Sequence, residues 1–149
     1  MYKNKVSSIP MYLTRTYHSD MKFTVYGKPT GKARPRFAKG RAYTPKPTAE
    51  YESAVRQAYI LSGGTNHHSS PININITAYF RKAKTNTMSF PMLKPDSDNI
   101  AKIICDGLNG VAYNDDKQII SLKIEKAWAD DGIEMVEIEV GSYIEKNNF

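Results

Sequence analysis

From Ile72 to Phe80 the chain alternates Ile72, Ile74, Ile76, Ala78 and Phe80 with Asn73, Asn75, Thr77 and Tyr79, a period of two that predicts a strand with one apolar face. Shorter alternations predict three more strands: Phe23 and Val25 within Lys22 to Tyr26, then Ile120, Leu122 and Ile124, then Val136, Ile138 and Val140. Tyr51, Ala54, Val55, Ala58, Tyr59 and Leu61 recur at helical spacing, which predicts a helix capped by Thr48 and closed at Gly63 and Gly64. Ile100, Ile103, Ile104 and Leu108 predict a second helix that ends before Gly110. The Asp130, Asp131, Gly132 turn predicts a hairpin joining the last two strands. The order is therefore β-α-β-α-β-β. Strands with one polar face each fit an α+β domain: a four-stranded mixed sheet with the two main helices packed on one face.

The remaining segments carry little periodicity. Gly27 to Pro47 is rich in Gly and Pro and reads as a long loop. Residues 1–20 show no sustained period and read as a flexible N-terminal extension ahead of a domain spanning 21–149. A length of 149 residues suits one domain. No run approaches the roughly 18 apolar residues of a membrane span, and the N-terminus lacks the apolar block of a signal peptide, so the expected location is cytoplasmic with no membrane partner. Cys105 is the only cysteine, which rules out an internal disulfide and a cysteine-rich zinc site, and its apolar neighbours place it in the core. His67 and His68 are adjacent, without a ligand-spaced partner, and read as loop residues.

Charge sharpens the picture. Residues 1–50 hold 11 Lys and Arg against 2 Asp and Glu, whereas residues 51–149 hold 10 against 13. Five aspartates nevertheless crowd into Lys94 to Asp116: Asp96, Asp98, Asp106, Asp115 and Asp116. Carboxylates gathered so closely repel one another unless water or a cation screens them. A basic half joined to a local acidic cluster suggests a polyanionic partner gripped by one part and acted on by the other.

Asp98, Lys102 and Asp106 stand at i, i+4 and i+8 on the second helix and form one polar stripe. Asp98 is the natural N-cap, with Asp96 beside it at the positive end of the dipole. On the plain reading Asp98 only caps, Asp96 is exposed and Lys102 is a helix-face partner of Asp98 and Asp106. The other reading adds a third carboxylate from Asp115 or Asp116, brought back by the loop after the helix. Such an oxygen-only site suits Mg²⁺ or Mn²⁺, and Lys102 would meet a scissile phosphate.

Lys32, Arg34, Arg36, Lys39, Arg41 and Lys46 lie among Gly and Pro, with Phe37 and Tyr43 between them. Such a loop can follow a phosphate backbone and stack an aromatic on a base, or it can serve solubility alone, with Phe37 packed on the first helix.

"PDSDNIAKIICDGLNG", then "NDDKQI" and "EKAW", together with "GKPTGKARPRFAKGRAYTPKPTAEYE" upstream, resemble the RusA-like Holliday junction resolvases. The likeness covers about residues 21–140. The resemblance implies a crossover junction endodeoxyribonuclease of bacteria or phages, acting on four-way DNA in recombination and repair. It implies Mg²⁺ or Mn²⁺ and no small-molecule cofactor, and a homodimer associated with the nucleoid. It also implies Asp96, Asp98 and Asp116 as catalytic metal-binding carboxylates and Lys102 as the important lysine, with Asp115 and Asp106 in a supporting role. Two alternatives stay open: a branched-DNA-binding protein that does not cut, and a nuclease preferring flaps or forks.

Overall fold

A computed structural model describes the backbone of residues 13–147 and the side chains of residues 21–143. Strand β1 spans Leu13–Tyr26 and is followed by a small hairpin, β2 (Arg36–Ala38) and β3 (Arg41–Tyr43). Helix α1 (Lys46–Leu61), strand β4 (Ile72–Phe80) and helix α2 (Ser97–Leu108) come next, then β5 (Ile119–Trp128) and β6 (Met135–Asn147). The main sheet has the order β1-β6-β4-β5, and β2 and β3 form a sheet of their own. The result is an α+β domain with a mixed sheet: β5 runs parallel to β4, whereas β6 runs antiparallel to both β4 and β1.

One face of the sheet carries the core. Ile72, Ile74, Ile76, Ala78 and Phe80 of β4 and Val136, Ile138 and Val140 of β6 are buried with Val55 and Tyr59 of α1 and Ile100, Ile103, Ile104 and Leu108 of α2. The alternations of β4 and β6 thus bury their apolar halves under the helices, and burying a side chain of this size is worth about 1.5–3 kcal/mol. On the opposite face Asn75, Thr77, Tyr79, Glu137 and Glu139 stay partly exposed, and the Asn75 amide donates to Glu139 across the strands at 2.9 Å.

Several expectations are corrected. β5 and β6 are not hairpin partners, because β4 lies between them. Alternation marks faces and Asp130 to Gly132 marks a reversal, but neither specifies a neighbour. The β4-α2-β5 unit commits β5 to lie parallel beside β4, and residues 129–134 carry the chain across β4 to its other edge. The first helix starts at Lys46 with Pro45 at the N-cap and no side-chain cap, while Thr48 is buried. Pro47, the second residue of the helix, lacks the N–H that a cap would satisfy, so the first turn does without a capping hydroxyl. Strand β1 begins before Lys22, its residues 13–19 pairing with 141–147 of β6, and residues 1–12 of the expected extension lie outside the described residues.

The Gly27 to Pro47 segment is not loop throughout. Lys39 and Gly40 both take positive φ, 51° and 74°, between Ala38 and Arg41, the two-residue turn whose twist matches a tight hairpin.

Candidate active site

Helix α2 begins one turn earlier than its apolar pattern. Asp96, not Asp98, is the N-cap, and it makes no side-chain cap bond. Asp98 falls in the first turn, and both carboxylates are exposed. Neither is consumed by capping. Nor does Asp98 pair with Lys102, which forms no ion pair among the described residues and projects from an exposed position.

A cavity of about 690 Å³ runs between α2 and the first half of β5. Asp98, Lys102 and Asp106 line its helix side, and Asp116 lies at its end beside the strand. Its apolar part includes Cys105, Ile120 and Leu122. Strand β5 is the edge of the sheet, so Ile120 and Leu122 remain 55% and 47% exposed beyond the reach of α2. Burial pushes the Cys105 thiol up to about 12, with the negative charges of Asp106 and Asp116 adding to the shift.

Asp116 is presented by a locally determined turn. Asp115 is the N-cap of the 3-10 turn Asp116–Gln118, its carboxylate accepting from the Lys117 amide at 2.9 Å. That bond holds the Asp115 carboxyl below its usual value. Gln118 closes a reciprocal capping box by accepting from the Asp115 amide at 2.9 Å. Gln118 also donates to the carbonyls of His68 and Ser70, fastening the turn to the start of β4. In NDDKQI, therefore, Asp115 and Gln118 build the turn and leave Asp116 free to face the cavity.

Asp96 lies apart from that cavity. It lines a neighbouring depression of about 300 Å³ with Gly31, Lys32, Lys94, Pro95 and Asn99. Among the described residues no set of three His, Cys, Asp or Glu is grouped to hold a metal. Asp98 and Asp116 nevertheless give the cavity two hard oxygen donors. That donor set suits Mg²⁺, which commonly takes one or two carboxylates and fills its other positions with water and substrate phosphate.

Three further residues shape the site; hydrophobic periodicity singles out none of them, although Lys126 and Trp128 lie in the EKAW stretch. The Lys126 ammonium donates to the carbonyls of Leu93 and Pro95, fixing the segment that enters Asp96. The Trp128 indole donates to the Met88 carbonyl at 3.1 Å and holds the preceding loop on β5. Glu52 of α1 meets Lys32 at 2.5 Å, and Lys32 also meets Asp106 at 2.9 Å. Arg34, Arg36, Lys39, Arg41 and Lys46 are exposed, and Phe37 is 79% exposed on the hairpin instead of packed on α1.

A single α+β domain with an acidic, partly apolar groove and an exposed basic hairpin has the make-up of a protein that handles a polyanion. The family described as Endodeoxyribonuclease RusA matches residues 26–141, and the chain belongs to that family. The family implies endodeoxyribonuclease activity. The Bacillus subtilis (strain 168) protein described as "Uncharacterized protein YqaN" is similar as well, 28% identical over 130 residues that cover 74% of this chain and 89% of that protein. Among the described residues no helix is long and apolar enough to cross a membrane.

Proposed function

We propose that this chain is a divalent-metal-dependent, structure-specific endodeoxyribonuclease that resolves Holliday junctions by paired symmetric cleavage, serving DNA recombination and repair in the cytoplasm. The observation that carries this reading is the placement of Asp98, Lys102 and Asp116 around one groove between α2 and β5. Asp98 and Asp116, with Asp96 as third carboxylate, would hold Mg²⁺ or Mn²⁺. When bound, such a cation supplies a nucleophilic water and offsets charge on the leaving oxygen. Lys102, exposed and in no ion pair among the described residues, is available to a non-bridging phosphate oxygen. Arg34, Arg36, Lys39, Arg41 and Lys46 would grip the backbone on either side of the scissile bond. A homodimer suits the substrate, since two copies related by a two-fold axis offer one acidic groove to each of two symmetric strands.

The test is incubation of the protein with a synthetic four-way junction, a fork and a linear duplex. Symmetric nicks on the junction with Mg²⁺ or Mn²⁺, absent with chelator, are expected. Tight junction binding with no nicks under any divalent ion would replace this reading with a non-cutting binder. Faster cleavage of the fork would make it a flap or fork nuclease.

A further inference from the structure

Lys32 opens the basic segment, and by composition it belongs with the phosphate-gripping residues. Its side chain points elsewhere. The ammonium lies 2.5 Å from Glu52 of α1 and 2.9 Å from Asp106 of α2, and the three side chains are only 19%, 17% and 24% exposed. Burial alone would lower the Lys32 ammonium, but its hydrogen bonds to Glu52 and Asp106 outweigh that and hold it above the ordinary lysine value. The backbone is committed too, because the Lys32 amide donates to the Asn99 carbonyl at 2.9 Å. Gly31 lies so flat on the start of α2 that a Cβ there would stand 2.8 Å from the Pro95 Cβ and 3.1 Å from that of Asn99. The root of the basic hairpin is therefore fastened to the turn that carries Asp96 and Asp98. Arg34, Arg36, Lys39 and Arg41 form no ion pair among the described residues, and Lys46 meets only exposed Glu50 at 3.7 Å.

Asp106 lines the same groove as Asp98, Lys102 and Asp116. Without a cation beside it, a third carboxylate there would repel the phosphate that the groove has to admit, and Glu52 would be left half-buried and unpaired. We propose that Lys32 is a positioning residue, not a DNA contact: its ammonium neutralises Asp106 against Glu52 and ties the basic hairpin to the acidic helix. DNA held by the hairpin is thereby registered against the groove. This inference rests on the nuclease reading.

Two measurements on the full chain test it. The first is junction affinity against salt in chelator, for wild type, Lys32→Met and Arg36→Ala. Arg36→Ala should lower the salt slope by about 1, as loss of a phosphate contact does, whereas Lys32→Met should leave the slope at the wild-type value. The second is the single-turnover cleavage rate at saturating junction. Lys32→Met should cut at least about tenfold more slowly, Lys32→Arg should recover most of the rate, and Asp106→Asn added to Lys32→Met should recover part of it, because one of the two stranded charges is gone while the tie to the hairpin stays lost. Lys32→Gln is read in the same way should Lys32→Met fail to fold. A slope lowered by about 1 in Lys32→Met makes Lys32 a phosphate contact and overturns the proposal. So does undiminished cutting by Lys32→Met, or a double variant no faster than the single. Wild type that binds but cuts no branched DNA sinks the nuclease reading instead, and the salt slopes in chelator still decide whether Lys32 touches phosphate.

Discussion

Glu52 and Gly107 meet where α1 crosses α2 with no room for a side chain: a Cβ at position 107 would stand 3.0 Å from the Glu52 carbonyl oxygen and 3.1 Å from the Val55 Cβ. Alanine favours a helix interior over glycine by about 1 kcal/mol, and overpacking a filled core costs about 1–3 kcal/mol. The obstructing atoms are helix backbone and a fully buried β-branched residue, neither of which can swing aside. The cost should win. Gly107→Ala is expected to lose about 1 kcal/mol and to melt about 2–4 °C lower, and Gly107→Val more. A Gly107→Ala protein melting above wild type would mean that the helices part easily. The same crossing sets Glu52 opposite Asp106 across Lys32, so the small residue also fixes the geometry of that ion pair.

Replacing carboxylate by amide at the groove should separate cutting from gripping. Asp98→Asn and Asp116→Asn keep shape and hydrogen-bonding capacity but remove charge where a cation would sit, so cleavage should fall by about 10³-fold or more. Asp96→Asn should fall with them. Junction affinity measured in chelator should hold or tighten, since each change removes a negative charge near phosphate. An Asp98→Asn protein that cuts at the wild-type rate would dissolve the metal assignment. Asp115→Asn should be far milder than Asp116→Asn, because its carboxylate is spent on the Lys117 amide and an amide oxygen can still accept that bond.

Much of this was legible in residue order, for reasons that differ by element. β4 and α2 are uninterrupted patterns whose buried residues, Ile72 to Phe80 and Ile100 to Leu108, match the expected apolar positions. The neighbour of β6 was not legible, because alternation says which face is buried and not which strand lies alongside. The β2–β3 hairpin escaped because its strands are three residues each, wholly exposed and flanked by prolines, leaving only the turn at Lys39 and Gly40 as a sign. At the site, the pairing of Asp98 with Asp116 around one groove follows from a helix and a returning strand, which the order of elements gives. The inward turn of Lys32 toward Glu52 depends on how α1 packs on α2, a contact between residues 20 apart that no periodicity encodes.

The hairpin should carry the salt dependence of binding. Arg34→Ala, Arg36→Ala, Lys39→Ala and Arg41→Ala each remove an exposed cation, so each should lower the slope of log affinity against log salt by about 1 and weaken binding alike on different sequences. Lys46→Ala should do less, because Lys46 already lies one helical turn from Glu50 at 3.7 Å. Filter binding or fluorescence anisotropy from low to moderate salt would measure this. Unchanged slopes in all four would return the segment to a role in solubility.

Cys105 offers a reporter for the groove. Its thiol lines the cavity, yet burial pushes it up to about 12, and the negative charges of Asp106 and Asp116 add to that shift. Only the thiolate is nucleophilic, so at pH 8 the reactive fraction should be about 10⁻⁴, against roughly a quarter for an exposed cysteine. Native protein should therefore resist iodoacetamide at pH 8 and react fully once unfolded in guanidinium. The sign of the electrostatic part can be checked separately. Neutralising Asp116 removes a charge that disfavours the thiolate, so Asp116→Asn should lower the thiol pKa and speed alkylation of the folded protein. Mass spectrometry of timed, quenched samples resolves both effects. Native Cys105 alkylating as fast as a free thiol would mean that α2 does not bury it, and equal rates in Asp116→Asn and wild type would move Asp116 away from the groove.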